Sequence, residues 1–503
     1  MATRKSNDAE QHPQARTVED VIVHDDIRNG DEALNFLRKE EIGDELEYVD
    51  EKKLLRKIDF MILPLCFMCY LLEYLDKSLL NYASVMGLRT DTNINTNQYA
   101  NLSLLFYVAF LAFEIPHAYL MQRFPVAKYL GTMVACWGTC VACTAACESY
   151  GALVAVRFLL GAFESTISPS LIIITSMWYK RHEQPARVGL WYIGVGLGVV
   201  VGSLMSFGFQ HYHSTTFTSW QIMFLVVGLF TVFIGILVIL FLPDNPMSSR
   251  LSHAEKVIAV ERLRENNTGI ENKRFKLHQA LECIRDPQVL LLCLITIAAS
   301  VPNGAVGSFQ SIIINSLGFS SEVTALLQIP SGVIHVISVL LATWSAGRFN
   351  ARAINVIAWS AIGGLLGGGL LAFLPDENSA GKLVGNYLTQ VVGAFLPCVY
   401  AFAGGNVAGH TKKVTSNALL LMSFCVGNIL GPLTFRDKDA PGYVPAKVTI
   451  VAVDSVAIVL TVLLLVYYLW ENHKRNKNPV EHQENIEFAD LTDMQNKEFR
   501  YKY

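Results

Sequence analysis

The stretch "YLLEYLDKSLLNY", residues 70–82, places three charged side chains inside an otherwise apolar run. Glu73, Asp76 and Lys77 fall within about one helical turn of each other. An ionised side chain at the centre of a bilayer costs roughly 2.5–3.5 kcal/mol on insertion scales, and such residues mark substrate and ion pathways. The stretch therefore predicts a membrane-spanning helix whose buried charges have a function.

The composition of the whole chain also indicates a membrane protein. Of 503 residues, 52% are hydrophobic and 17% are charged, and the mean hydropathy is +0.35, whereas soluble domains carry about 25% charged residues. Apolar segments of about 20 residues, long enough to cross a hydrocarbon core of about 30 Å as helices, recur twelve times. A soluble helical bundle is the alternative, but its surface helices would show polar faces. The predicted spans are 59–82, 99–120, 126–147, 151–177, 186–208, 221–242, 289–314, 322–346, 353–374, 382–403, 413–434 and 447–470.

The order of these segments predicts an all-α integral membrane protein with two six-helix halves. Weak internal similarity supports two halves, because "QRFPVAK" follows the second span and "GRFNAR" follows the eighth, and duplicated halves are the usual construction of secondary transporters. Most Lys and Arg residues beside the spans lie in loops that would then be cytosolic, which predicts that both termini are cytosolic. The predicted regions are a polar tail (1–57), the first half (58–242), a cytosolic central loop with a short helix from Ser252 (243–288), the second half (289–470) and a C-terminal tail (471–503).

Several function classes are disfavoured by what the sequence lacks. The net charge is −3, and no basic patch with interleaved aromatic residues predicts nucleic-acid binding. Four cysteines between 136 and 147 share a helical face, but no His or Asp joins them, so helix packing is favoured over a metal site. No nucleophile with its base and no Gly-rich phosphate loop stands at a credible spacing. We therefore expect neither an enzyme nor a metal or organic cofactor.

The charges predicted inside the spans form two groups on two helices. Lys77 lies on the first span, and Arg157 lies on the fourth span with Glu164 seven residues later. At 1.5 Å per residue, Arg157 comes level with Asp76 and Lys77, while Glu164 lies nearer the middle of the bilayer. By helical phase Glu73, Asp76 and Lys77 share one face. Structural salt bridges are the alternative interpretation, although buried pairs rarely improve stability over apolar packing.

Several motifs together resemble those of a known family. They are Tyr74-Leu75-Asp76-Lys77 followed by Asn81, then "RFLLGAFES", "SMWYKRHEQPAR", "GSFQSIIINSLGF", "AGHTKK", "GNILGP" and "DAPGY". The chain resembles the major facilitator superfamily over roughly residues 48–500, and within it the allantoate-permease-like branch of the fungal anion:cation symporters.

This resemblance implies an importer that moves a small organic anion with protons by alternating access. Carried over by position, it gives Asp76 and Glu164, with Glu73 beside them, as proton-coupling acids, and Lys77 and Arg157 as anion-binding cations. Most members have Arg in place of Lys77, and an ammonium cannot offer a bidentate fork. We add Tyr107, Asn303 and Gln310 as candidate polar contacts to the substrate.

A gating role is predicted for Arg123, Lys128 and Glu183. The superfamily's usual Asp-Arg-x-Gly-Arg loop after the second span is here "MQRFPVAK", which lacks the acid. We therefore expect Arg123 and Lys128 to meet another partner, for which Glu183 is the candidate.

The sequence leaves the substrate open. The resemblance implies a carboxylate such as allantoate, another ureido acid, a vitamin carboxylate, an amino acid or a small peptide. A zwitterionic or cationic substrate, such as cysteine or a thiamine-related compound, is one alternative, and a nutrient receptor without net flux is another. We expect a monomer in the lipid bilayer of the plasma membrane, with an internal membrane as the alternative location.

Overall fold

The computed structural model describes residues 50–180, 183–212, 217–264, 276–349, 352–375, 377–477 and 491–503. In these residues all regular secondary structure is helical, and twelve segments are long and apolar enough to cross a membrane. The predicted all-α membrane fold with twelve spans is confirmed. The side of the membrane on which the termini lie stays a prediction.

The spans are numbered here in chain order. They run Glu51–Val85, Thr96–Met121, Val126–Thr144, Tyr150–Trp178, Ala186–Gln210, Ser219–Phe241, Pro287–Asn315, Ser321–Ala342, Arg352–Phe373, Ser379–Asn406, Thr411–Leu433 and Val444–Lys477. Five of them are interrupted: span 4 at 165–166, span 5 at Ile193, span 8 at 327–328, span 9 by a π-helical turn at Ala361–Gly368, and span 10 by a 3₁₀ turn at Gln390–Ala394. Short helices outside the spans are Leu88–Asp91, His253–Arg264, Leu277–Arg285 and the 3₁₀ turn Asp437–Asp439.

The first and last helices are longer than hydropathy predicts. The Asp50 side chain accepts a hydrogen bond from the backbone N–H of Lys52 and caps the first helix, which begins at Glu51 rather than near 59. The last helix continues to Lys477. Hydropathy detects only the apolar part of a helix, whereas polar helical turns extend beyond the membrane at both of these ends.

Span 5 packs against span 1 through a row of glycines. A Cβ atom added to Gly198 would lie 2.9 Å from the carbonyl oxygen of Leu71, and one added to Gly202 would lie 2.7 Å from the ring of Tyr82. Gly194 meets the backbone of Leu71 in the same way. These three glycines, four residues apart, form the smooth face that lets two helices approach closely. Span 1, which carries the charged stretch, is thereby fixed to its neighbour.

The two halves are joined by hydrogen bonds at the end of the bundle opposite the central loop. Asn81 donates to Oε1 of Gln328 (2.8 Å) and accepts from the backbone N–H of Ser311 (2.8 Å), and Gln328 donates to the Ser311 hydroxyl (2.8 Å). Nearby, the backbone N–H of Thr96 donates to Asp437 (2.9 Å). Further hydrogen bonds between described residues of the two halves lie toward the same end. The end of the bundle opposite the central loop is therefore closed in this conformation.

At the central-loop end, each half carries its own polar clamp. The helix His253–Arg264 packs on the first half, where Arg262 pairs with Glu51 (2.8 Å) and Glu183 (2.6 Å). On the same side Lys57 pairs with Glu255 (2.7 Å). The hydrogen bond from Lys57 holds the pKa of Glu255 below its usual value. The loop helix is thus fixed to the first half.

The second half is clamped by the C-terminal segment, residues 491–503. Lys412 is completely buried and pairs with Asp286 (2.6 Å), Asp493 (2.8 Å) and Glu282 (3.0 Å). Tyr501 donates to Asp493 (2.9 Å) and stacks on Tyr468 with ring centroids 4.8 Å apart.

Two asparagines hold the backbone of the same segment. Asn472 pairs with both backbone groups of Tyr501 (2.9 and 3.0 Å), and Asn406 pairs with both of Lys502 (2.9 and 2.7 Å). The described end of the predicted polar tail is therefore packed against the second half.

Candidate functional site

A cavity of about 880 Å³, part of it open to solvent, lies between the two halves. All five predicted substrate-binding residues line it, as does one predicted proton-coupling acid: Asp76, Lys77, Tyr107, Arg157, Asn303 and Gln310. The structure brings these side chains together from spans 1, 2, 4 and 7.

Lys77 lies between two carboxylates. Its ammonium donates to Oε1 of Glu73, one helical turn earlier, at 2.7 Å. The ammonium also lies 3.1 Å from Oε1 of Glu164, but neither oxygen of Glu164 has a hydrogen bond within the described residues. The second contact is therefore an ion pair without hydrogen-bond alignment. Glu73 and Glu164 are fully buried and flank Lys77, whose side chain is 21% exposed and faces the cavity.

The depth estimate from the sequence places Glu164 nearer the middle of the bilayer than Lys77, yet the two side chains meet. The lysine side chain carries its charge on a flexible four-carbon stem. It can therefore reach a carboxylate on span 4 that starts from a different depth.

Asp76 faces a different helix from Glu73 and Lys77. Its Oδ2 atom accepts a hydrogen bond from the indole N–H of Trp137 on span 3 (3.1 Å), and its Oδ1 atom has no partner among the described residues. Adjacent residues on a helix of 3.6 residues per turn point about 100° apart. Asp76 therefore points toward span 3 and Lys77 toward span 4, while both still border the cavity.

Arg157 presents unused donors. Its side chain is 3% exposed and lies 5.6 Å from the ring of Phe224. The Nε and Nη2 atoms have no hydrogen-bond partner among the described residues. Because an unpaired buried charge is costly, this guanidinium is the strongest candidate in the cavity for binding an anion.

The second half contributes amide groups with a fixed orientation. Asn428 donates to the backbone carbonyl of Phe424 (2.8 Å), so its Oδ1 atom must act as an acceptor. Asn303 donates to that oxygen at 2.8 Å, which leaves the Oδ1 atom of Asn303 free to accept. Gln310 donates to the Ser331 hydroxyl at 2.6 Å. The cavity therefore has cations on the first half and amide acceptors on the second.

The predicted gating contact is not formed in this structure. Glu183 pairs with Arg262 of the loop helix rather than with Arg123 or Lys128. Lys128 donates to the backbone carbonyl of Ile239, and Arg123 lies 4.9 Å from the ring of Tyr119. The prediction considered only partners in the loops between spans of the first half, whereas Glu183 forms its ion pair with Arg262 of the central loop. A gating role for the three residues stays a prediction.

Several residues that shape the site were missed from the sequence. Trp137 donates a hydrogen bond to Asp76, and Asn428 accepts one from Asn303. Ser168 contacts both carboxylate oxygens of Glu73 at 3.4 Å. Their position as polar residues inside apolar spans was the available signal. His335 also lines the cavity, and its Nε2 atom has no partner among the described residues.

Comparison with known proteins agrees with this architecture. The profile described as Major Facilitator Superfamily matches residues 66–432. The chain belongs to this superfamily. Its relatives include the thiamine pathway transporter THI73 of Saccharomyces cerevisiae, 39% identical with 95% of this chain and 90% of the relative covered. Allantoate permease of the same yeast is 34% identical with 96% and 91% covered. The predicted family and branch are confirmed, and the protein is a secondary transporter rather than an enzyme.

Solved structures of low sequence identity share the fold. A bacterial homologue of the human lysosomal transporter Spinster, in an inward-facing and unoccupied conformation, superposes with a TM-score of 0.65 at 17% identity, covering 81% of this chain and 97% of that one. The Escherichia coli xylose transporter XylE, in a partially occluded inward-open conformation, gives 0.61 at 15% identity, covering 80% and 97%. These likenesses concern the fold alone.

Proposed function

We propose that this transporter carries a small organic anion together with protons by alternating access between its two halves. The observation that supports this most directly is Arg157, a buried guanidinium on the cavity wall with two unpartnered nitrogens. A planar guanidinium binds a carboxylate through two parallel charge-assisted hydrogen bonds. A substrate carboxylate would therefore supply the partner that this side chain lacks within the protein.

The Glu73–Lys77–Glu164 cluster offers a route for proton coupling. Two carboxylates share one ammonium, so the ionised cluster carries a net negative charge that repels an anion. Protonation of Glu164, the acid with poorer hydrogen bonding, cancels that charge. The substrate carboxylate then replaces the Glu164 carboxylate as the partner of Lys77. Loss of the proton from Glu164 on the other side of the membrane then expels the substrate. Asp76 is the second candidate acid, because it borders the same cavity.

The second half favours a substrate that also carries N–H groups. The Oδ1 atom of Asn303 is oriented to accept, because Asn428 fixes the amide through the backbone of Phe424. A molecule with a carboxylate at one end and N–H donors at the other would match Arg157 and Asn303 together. Ureido acids such as allantoate and amino acids have this pattern, and allantoate permease is among the relatives.

The energetics set the number of protons needed for uptake. A pH difference contributes about 1.4 kcal/mol per unit for each proton. The membrane potential contributes roughly 2.3 kcal/mol per 100 mV for each net charge. A monoanion is driven inward by voltage only if at least two protons accompany it. Glu164 and Asp76 would provide two such sites.

We further propose that the protein is a monomer in the plasma membrane and that both of its termini are cytosolic.

A zwitterionic or cationic substrate is the second candidate, and Asp76 favours it. The Oδ1 atom of Asp76 on the cavity wall has no partner within the described part of the chain, so the cavity also offers a site for a positive group. The relative named thiamine pathway transporter THI73 is consistent with this alternative. In that case Asp76 would bind the substrate rather than a proton.

Uptake of radiolabelled allantoate into proteoliposomes, at several external pH values, tests the proposal. We expect Arg157→Gln to raise the KM about 10-fold or more, since a hydrogen bond to a charged group contributes roughly 1.5–3 kcal/mol. Lys413→Gln, at an exposed lysine away from the cavity, serves as the control. Glu164→Gln should remove the stimulation of uptake by acid. An unchanged KM for Arg157→Gln would contradict the anion site, while uptake of thiamine that Asp76→Asn abolishes would favour the second candidate.

A further inference from the structure

A second, smaller cavity of about 360 Å³ adjoins the central one. On span 7 the second cavity is lined by Ala299, Ser300 and Asn303, whereas the lining of the central cavity begins at Asn303 and continues to Gln310. Span 7 begins at the central loop, so the second cavity lies nearer the central-loop end.

Three residues line both cavities: Tyr74, Asn303 and His335. We call this set the throat, because it stands where the two cavities meet. The opposite end of the bundle is closed by the bonds of Asn81 and Gln328. The throat and the second cavity therefore form a route from the central cavity toward the central loop.

The second cavity differs chemically from the central one. Its described lining residues are mainly aromatic and aliphatic, with Tyr192, Phe395 and Phe424 among them, and include no Asp, Glu, Lys or Arg. The charged groups of the central cavity, by contrast, hold the substrate where it binds. A substrate that enters the second cavity leaves Arg157 and needs other polar contacts on the way.

His335 can supply such a contact. One nitrogen of its ring bonds the backbone carbonyl of Gln390, and a carbonyl can only accept, so that nitrogen carries the hydrogen. In the neutral ring the other nitrogen, Nε2, is then an acceptor, and it has no partner among the described residues. Gly393 packs directly against the imidazole, where any side chain would overlap the ring. The space for the ring is thus built into span 10.

We propose that His335 is a transient binding residue of the release route, whose Nε2 atom accepts a hydrogen bond from the substrate as it passes the throat. This rests on the proposed function to the extent that the substrate carries N–H groups. The throat then offers two acceptors on the second half, His335 Nε2 and Asn303 Oδ1. Because Arg157 holds the substrate at equilibrium, loss of the His335 contact slows release without weakening binding.

The test compares equilibrium binding with transport, using radiolabelled allantoate as the probe. His335→Leu removes the acceptor, His335→Gln keeps one, and Ile337→Val, on the exposed side of the same span, is the control. For His335→Leu we expect a Kd within 2-fold of the unsubstituted protein and a maximal uptake rate lowered about 2- to 10-fold, the range of one neutral hydrogen bond. His335→Gln should recover most of that rate. A retained Kd also shows that the variant is folded.

An unchanged uptake rate in His335→Leu would overturn the proposal, as would a Kd weakened as much as the rate, because His335 would then belong to the central site. A substrate-independent arm uses Ser300→Cys and a membrane-impermeant thiol reagent, measured against the unsubstituted chain. Modification from the central-loop side supports the route, and modification from the opposite side alone refutes it. If the unsubstituted protein binds no allantoate, the proposed substrate class fails, while this second arm still decides the route.

Discussion

Replacing Lys412 by methionine should destabilise the second half strongly. Lys412, Asp286 and Asp493 are all completely buried, and the ammonium contacts both carboxylates within 2.8 Å. Removing one partner of a buried ion pair typically costs about 3–5 kcal/mol, because an uncompensated charge stays in the interior. Gln288 and Tyr501 still donate to the two acids. We therefore expect the lower end of that range, about 3 kcal/mol.

Thermal unfolding of the purified protein in detergent measures this effect. For units of about 150–250 residues, 1 kcal/mol shifts the Tm by roughly 2–4 °C. The expected loss is therefore about 6–12 °C. Lys413→Met is the matched control, because the neighbouring side chain is exposed and surface substitutions change stability by only about 0.5 kcal/mol.

A double substitution separates the charge effect from lost packing. Adding Asp493→Asn to Lys412→Met removes one of the two uncompensated carboxylates, so the double variant should be more stable than Lys412→Met alone. If Lys412→Met and Lys413→Met lower the Tm equally, or if Asp493→Asn adds a further independent loss, the reasoning about this cluster is wrong.

Two further predictions concern helix packing and pH. Gly161→Ala should lower the Tm, because the new Cβ would overlap the backbone carbonyl of Phe106 on span 2. Gly189→Ala is the control and should be neutral or slightly stabilising, because no atom lies within 4 Å of its new Cβ. Equal losses of Tm in the two variants would contradict the packing argument. Asp437→Asn should change the uptake rate by the same factor at every pH between 4.5 and 7. The hydrogen bond from Thr96 lowers the pKa of Asp437 below its usual 3.8, so its ionised contact is fully present above pH 3.8 and is lost only as the pH falls through that lower pKa. A ratio that varies more than 2-fold over the range would contradict this.

Local features of the fold and site could be predicted from the sequence. The twelve spans follow from hydropathy, and the Glu73–Lys77 pair follows from its i, i+4 spacing. The partners that arrive from distant parts of the chain could not. Asp493 is 81 residues from Lys412 along the chain and Asn428 is 125 from Asn303, and no local pattern indicates either contact. Lys412 itself falls in the predicted loop between the spans 382–403 and 413–434, and its burial depends on a segment predicted to be a polar tail.

The two buried lysine clusters show why burial of a charge does not by itself indicate transport. Lys412 has three carboxylates, no exposed surface, and acid partners that are further fixed by Gln288 and Tyr501. Lys77 borders a cavity, and one of its two carboxylates has no aligned hydrogen bond. A cluster can exchange partners only where a substrate or proton can reach it and where at least one contact is weak. By this criterion the cluster at Lys77 can exchange partners, as the proposed coupling requires, whereas the cluster at Lys412 fastens the C-terminal segment to the second half.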